Sequence, residues 1–228
     1  MRNYRYDLCY GLDWRGNIRE ILVPVKAQSK EPKRCDWCGT DALYQRYHDE
    51  EWGVPEYGTQ ALFERLVLEG MQAGLSWLTV LKKRERITER LYGFDVAKLA
   101  KVNPEPTGRV MASWLKDPGL IRHQGKLAAA VLNARVLQAL NSDFSADLWR
   151  FVEHKPQQNK HKTSRTVPSI TPAATAMAKW LKTEGFRFVG PTTCYAFMQS
   201  AGLVNDHLLT CHRHHPCQEL ASAPSSRI

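Results

Sequence analysis

The chain has 228 residues, 43% of them hydrophobic, enough to bury a sizeable core in one large or two small domains. Lys and Arg number 32 against 23 acids, a formal charge of +9 that fits a polyanionic partner such as nucleic acid without requiring one. No run of about 18 apolar residues is available to span a bilayer, and Met1–Tyr6 is too polar to open a secretory signal; a cytoplasmic protein is expected, its six cysteines serving as metal ligands or free thiols rather than disulfides.

Residues 1–32 carry a basic excess and a short apolar patch at Ile21–Val25 with no obvious partner, and read as a weakly ordered extension outside the core. From Arg34 the texture changes. Cys35-Asp-Trp-Cys38 is followed by aromatics every few residues, and a helix over 42–49 sets Tyr44, Tyr47 and His48 on one side, a stripe that core packing would also explain. Gly53 and Pro55 end that element, and Thr59 reads as the N-cap of the next. There Leu62, Leu66, Glu69 and Ala73 follow spacings of four, three and four, which places Glu69 on the apolar face. An unpaired carboxylate is costly to bury, so Glu69 is either a surface or ion-paired group or the contact of a ligand. Gly74 and Ser76 read as a helix end and a new N-cap, so Trp77 opens the following helix beside the turn. An acid and an indole converging on one corner suit a flat, polar or cationic ligand.

The helix opened by Trp77 is expected to run to about Leu91, with Lys82, Lys83, Arg84, Arg86 and Arg90 on a solvated face. Residues 94–115 read as two short helices broken at Pro104 and Pro106. Asp117-Pro-Gly-Leu-Ile-Arg-His-Gln-Gly-Lys then precedes Leu127, Val131, Ala134 and Gln138 at helical spacing: a helix, a tight turn and a second helix. Such a turn can offer amides to an anion with Arg122, His123 and Lys126 nearby, although Pro-Gly-linked helix pairs are common without any phosphate. Residues 144–152 form a further short helix with Trp149 inward, 154–166 an exposed basic loop, 172–185 a helix ending near Gly185, and 191–202 the last long helix. No repeat or strand–helix alternation is visible, and the core is expected to be all-α.

His207 and Cys211 are four apart, the spacing that aims two side chains at one ion. Cys35 with either His48 or Cys38 would complete a closed four-ligand set for structural zinc, joining the two ends of the domain.

Taken together, Arg34-Cys-Asp-Trp, Tyr47-His-Asp-Glu-Glu-Trp-Gly-Val-Pro, Leu68-Glu-Gly-Met-Gln-Ala-Gly-Leu-Ser-Trp, Phe186-Arg-Phe-Val-Gly-Pro-Thr-Thr-Cys-Tyr-Ala-Phe-Met-Gln and Gly202-Leu-Val-Asn-Asp-His closely resemble the 3-methyladenine DNA glycosylase I family. The likeness runs from about Lys33 to Arg213, giving a glycosylase domain at 33–213 with an extension at 1–32 and a tail at 214–228. It implies an all-α, helix-hairpin-helix glycosylase-like bundle, and structural zinc on Cys35, His48, His207 and Cys211, favouring His48 over Cys38. It implies Glu69 as the catalytic acid, a base pocket of Tyr47, Trp52 and Trp77 with Tyr44 and Trp37 nearby, and a DNA contact at Gln72, Gly74 and Leu75, of which Gln72 and Leu75 fill the gap in the duplex. The hairpin, with Gly119, Arg122 and Lys126, would grip phosphates. The expected enzyme is a monomer acting on double-stranded alkylated DNA in the cytoplasm, at the bacterial nucleoid, and hydrolysing the 3-methyladenine glycosidic bond without strand cleavage. Composition and the His/Cys clusters alone would also fit a non-catalytic zinc-stabilised DNA-binding module, or a metallohydrolase with an open zinc.

Overall fold

A period-two pattern opens the chain: Tyr6, Leu8, Tyr10 and Leu12 alternate with Asp7, Cys9 and Gly11. The computed structural model, which describes the backbone of residues 5–12, 18–25 and 31–222 and the side chains of 31–221, turns this stretch into a strand, β1 (Arg5–Leu12). β1 pairs antiparallel with β2 (Ile18–Val25), from Arg5 opposite Val25 to Leu12 opposite Ile18. The stretch read as a weakly ordered extension thus contains these two paired strands, and the Ile21–Val25 patch finds its partner upstream. The chain divides into two units between Pro32 and Lys33.

In the second unit the helices start where the sequence supplies caps. The Asp41 carboxylate accepts the amides of Leu43 and Tyr44 to open α1 (Ala42–Glu50). At α2 (Thr59–Gln72) the N-cap is Gly58 rather than Thr59, and Glu56 Oε1 takes the Tyr57 and Gly58 amides at 3.0 and 2.8 Å instead. Ser76 caps α3 (Trp77–Leu81), which stops ten residues before the expected end, and α4 (Arg84–Arg90) leaves in a new direction. No Gly or Pro marks this break. Arg84 reaches Glu51 at 2.5 Å and Glu64 at 3.0 Å, Lys82 pairs with Asp41, and Arg86 pairs with Glu89 and Asp117; Lys82 and Arg86 stay exposed on the expected solvated face, which is laced with ion pairs.

The chain continues through α5 (Val96–Ala100), α6 (Arg109–Lys116), α7 (Gln124–Ala139) and α8 (Phe144–Trp149). It then forms α9 (Pro172–Glu184), between the Thr171 cap and a left-handed Gly185, α10 (Pro191–Ser200), and α11 (His214–Ser222) in the expected tail. Residues 154–166 are not a plain exposed loop: β3 (Gln157–Gln158) lies parallel to β4 (Val204–Asn205). Apart from this pairing the body is helical.

α2 forms the centre. Its Leu62, Phe63, Leu66, Leu68 and Met71 are almost fully buried, at roughly 1.5–3 kcal/mol of stabilisation each, and it packs against α7, α8 and α10. The carboxyl end of α10 is held on the strand-like segment after α1 by Gly202. With φ +70°, a Cβ there would fall 2.4 Å from the Val54 carbonyl carbon and the Pro55 nitrogen, so only glycine permits the approach. No helix among the described residues is long and apolar enough to cross a membrane.

Candidate active site and metal centre

The helical period that put Glu69 on the inner face of α2 is realised: the side chain is 4% exposed. Burial pushes its carboxyl up to about 8, opposed by a hydrogen bond from Ser200 and by the charge of Arg65 one turn earlier. Arg65 is itself held by the Ser200 carbonyl. Burial thus favours the protonated form of Glu69.

Five aromatic rings join Glu69 around that cavity, of about 350 Å³. Trp37 comes from a single 3₁₀ turn (Asp36–Cys38), Tyr44 and Tyr47 from α1, Trp52 from the segment after it, and Trp77 from the first position of α3. They form one connected set: Tyr47–Trp77 at 5.2 Å, Trp37–Tyr44 at 5.0 Å, Trp37–Trp52 at 4.9 Å and, linking them, Trp37–Tyr47 at 6.4 Å between ring centres. Burial, reinforced by Glu69, holds the Tyr47 phenol well above its usual range, so it stays neutral. Among the described residues the buried Trp77 indole N–H has no acceptor and the Ser164 hydroxyl no partner, and both residues line the cavity. Unsatisfied buried polar atoms on an enclosed wall are what a polar ligand would satisfy.

The opposite wall was not anticipated. It consists of Ser164, Val167, Pro168 and Ser169, with Ala196 and Gln199 of α10, Asp206 and Leu208. Asp206 organises it: its carboxylate accepts Tyr195 Oη–H at 2.6 Å, Gln199 Nε2 at 2.8 Å and Asn159 Nδ2 at 2.6 Å, while His161 Nε2 lies 3.3 Å away without a hydrogen bond to it. The basic loop is thereby pinned as a cover. In sequence, the Asn-Asp-His motif was the only available sign.

Behind Trp52 the Nδ1, Nε2 and Sγ atoms of Cys35, His48, His207 and Cys211 all lie within 4.8 Å of one another, every residue buried. Cys211 Sγ is 3.4 Å from His48 Nε2 and 3.5 Å from His207 Nδ1, and Cys35 Sγ is 3.7 Å from His207 Nδ1. Tetrahedral thiolate–imidazole sites give S···N edges of about 3.5 Å, so the donors fit such an ion. Their remaining ring nitrogens are engaged as a metal site requires: His48 Nδ1 with Asp49 at 2.8 Å, His207 Nε2 with the Trp52 carbonyl at 2.9 Å. Burial holds His207 below its usual range, hence neutral and able to donate a lone pair. Cys38 is not in the group; its thiol donates to the Cys35 carbonyl.

Gln72 lies at the cavity wall, while Gly74 and Leu75 form an exposed turn between α2 and α3, with Gly74 at φ +76°. Of the hairpin residues only Arg122 is free in the expected sense, being exposed. The Gly119 amide donates to Asp117 Oδ1 at 2.9 Å, and His123 accepts the Lys126 amide as the N-cap of α7. Lys126 is a correction: its ammonium is buried and donates to the carbonyls of Met71 and Ala73, because two unpaired carbonyls at the end of α2 lie within its reach.

The sequence matches the family model described as methyladenine glycosylase over residues 37–214. It is 48% identical over 188 residues to a DNA-3-methyladenine glycosylase of Haemophilus influenzae, covering 81% of this chain and 97% of that protein. Among solved structures it is similar to a 3-methyladenine DNA glycosylase I, with a TM-score of 0.77 at 45% identity over 80% of this chain and 100% of the other. It is also similar to a variant 3-methyladenine DNA glycosylase I in complex with 3-methyladenine, with a TM-score of 0.74 at 34% identity over 79% and 97% of the two chains.

Proposed function

The chain belongs to the methyladenine glycosylase family, and on that footing we propose that it hydrolyses the N-glycosidic bond of 3-methyladenine in alkylated double-stranded DNA, the first step of base excision repair. The observation that carries this reading is the cavity that buried Glu69 lines together with five aromatic rings.

The reacting bond lies inside the base stack, so the nucleotide must be turned out, at a few kcal/mol that damage reduces. Methylation at N3 makes the base cationic and weakens its bond to the sugar. In the slot, the electron-rich faces of Tyr47 and Trp77 attract the cation, by about 0.5–2 kcal/mol. Glu69 ionises on meeting that charge, losing its proton to solvent, and its carboxylate accepts hydrogen bonds from the adenine edge. When the C1′–N9 bond breaks, its electron pair leaves with the base and cancels the positive charge. Water bonds to C1′ and loses a proton to solvent, giving free 3-methyladenine and an abasic site. α7 contributes no acid to activate that water. Lys126 is held by carbonyls rather than poised as a nucleophile, which supports a monofunctional hydrolase acting on a substrate that is already labile.

Leu75 and Gln72 fill the space the base leaves, with Gly74 allowing the turn. The α6–turn–α7 pair serves as the helix-hairpin-helix element, meeting the phosphates at Arg122. Cys35, His48, His207 and Cys211 would hold a structural zinc; a closed Cys₂His₂ set would leave no position for water, so the ion would secure the fold rather than take part in hydrolysis. Residues 33–213 carry the activity as a cytoplasmic monomer working at the nucleoid, and 1–32 lie outside it.

The test is incubation of dimethyl sulfate-treated duplex DNA with the protein and chromatography of the released bases. 3-Methyladenine is expected, with strands intact until alkali is added; absence of base release would refute the assignment, and scission accompanying release would refute the monofunctional mechanism.

A further inference from the structure

Lys126 is the buried charge that the chemistry above leaves without a task. It stands in the first turn of α7 and is 7% exposed, its backbone amide tied to the His123 cap at 3.3 Å. Its ammonium crosses to another element, donating to the Met71 carbonyl at 2.9 Å and the Ala73 carbonyl at 2.5 Å. Those carbonyls lie at the end of α2, where backbone acceptors lack helical partners and the helix dipole favours a cation. Immediately beyond, Leu75 N donates to the Gln72 carbonyl at 2.6 Å, and Gly74 turns the chain so that Leu75 stands 41% exposed. Both ends of the lysine are therefore fixed, one on the hairpin and one on the turn that bears Leu75.

We propose that Lys126 is a positioning residue, a strut from the first turn of α7 to the carboxyl end of α2 that sets how far Leu75 projects into the duplex. This rests on the reading of Leu75 as the residue that fills the extruded base's place. Docking of the hairpin on phosphates is thereby coupled mechanically to insertion at the gap, without Lys126 touching DNA. An ammonium consumed by two carbonyls has little capacity left for a phosphate, and a methylene chain buried between two helices cannot swing out without opening the packing around it.

A double-mutant cycle on full-length protein and methylated duplex DNA tests this. Leu75→Ala and Lys126→Met are each expected to lower kcat/KM about tenfold, and the double variant to be no more than about twofold worse than the poorer single one, because both act through one wedge. Lys126→Met should bind free 3-methyladenine within about twofold of wild type and keep the salt dependence of duplex binding. Multiplying losses together with a salt slope reduced by about 1 would make Lys126 a phosphate contact and overturn the strut. Loss of free-base binding in Lys126→Met would place its role in the slot itself and equally overturn it. Full activity of Leu75→Ala would instead remove the wedge, and the strut with it. Should Lys126→Met not fold, Lys126→Gln, which keeps a donor to one carbonyl, carries the same cycle with a smaller expected loss.

Discussion

The Trp52 carbonyl accepts a hydrogen bond from His207 Nε2 at 2.9 Å, while the Trp52 indole packs edge-on against the same imidazole at 4.7 Å. Trp52 thus touches the four-donor group while lining the cavity, where it meets Trp37 at 4.9 Å. The donor group and the cavity are neighbours, with Cys35 common to both.

Cys211→Ala should therefore lose the bound metal and lower thermal stability, by roughly 5–10 °C at about 2–4 °C per kcal/mol for a domain of this size. Activity should fall in step with unfolding. Metal analysis with a calorimetric scan checks this, and a chelator should act at the rate of unfolding. Immediate loss of activity in still-folded protein would indicate a catalytic ion.

Burial also makes Glu69 a source of pH dependence in stability. Its folded-state value of about 8 stands above the 4.5 of an unperturbed glutamate, so the folded protein keeps a proton that the unfolded chain releases. The stability this group contributes is complete below about 4.5, declines as pH rises, and is gone above about 8. Glu69→Gln removes the titration, so the advantage of the variant over wild type in unfolding free energy, read from urea titrations, should grow between pH 5 and 8.5 by on the order of a few kcal/mol. A pH-independent difference would contradict the buried carboxyl.

Trp77 offers the cavity both a ring and an unpaired N–H. Trp77→Ala should weaken binding of free 3-methyladenine by about tenfold or more, and Trp77→Phe, which keeps a ring but no donor, by an intermediate factor. Fluorescence or calorimetric titration measures both. Wild-type affinity in Trp77→Ala would exclude the indole from the slot, and in Trp77→Phe would deny the N–H a ligand.

How far the sequence revealed this arrangement depended on whether a signal was local. Glu69 was found because helical periodicity reports the face a side chain takes, and the α2–α3 turn because Gly74 and Ser76 are local signals. The choice of His48 over Cys38 needed the family likeness, since spacing alone admits both. Other features were set by distant partners. The cover at Ser164–Ser169 depends on Asp206 binding Asn159 and lying beside His161, and nothing within the basic loop announces it. Nothing in the sequence separates a buried Lys126 from a phosphate-contacting one, because its acceptors are backbone carbonyls, which carry no residue identity. The break between α3 and α4 was missed because ion pairs to Glu51 and Glu64, rather than a helix breaker, hold α4 in place.

The most direct measurement is the rate of 3-methyladenine release from methylated duplex DNA by Glu69→Gln, with metal content and melting temperature followed in parallel. Replacing the acid while keeping its shape should slow release at least about tenfold, the equivalent of roughly 1.4 kcal/mol, with metal and fold retained. Release at the wild-type rate from a folded, metal-loaded Glu69→Gln would contradict the role given to the buried carboxyl and the slot built around it.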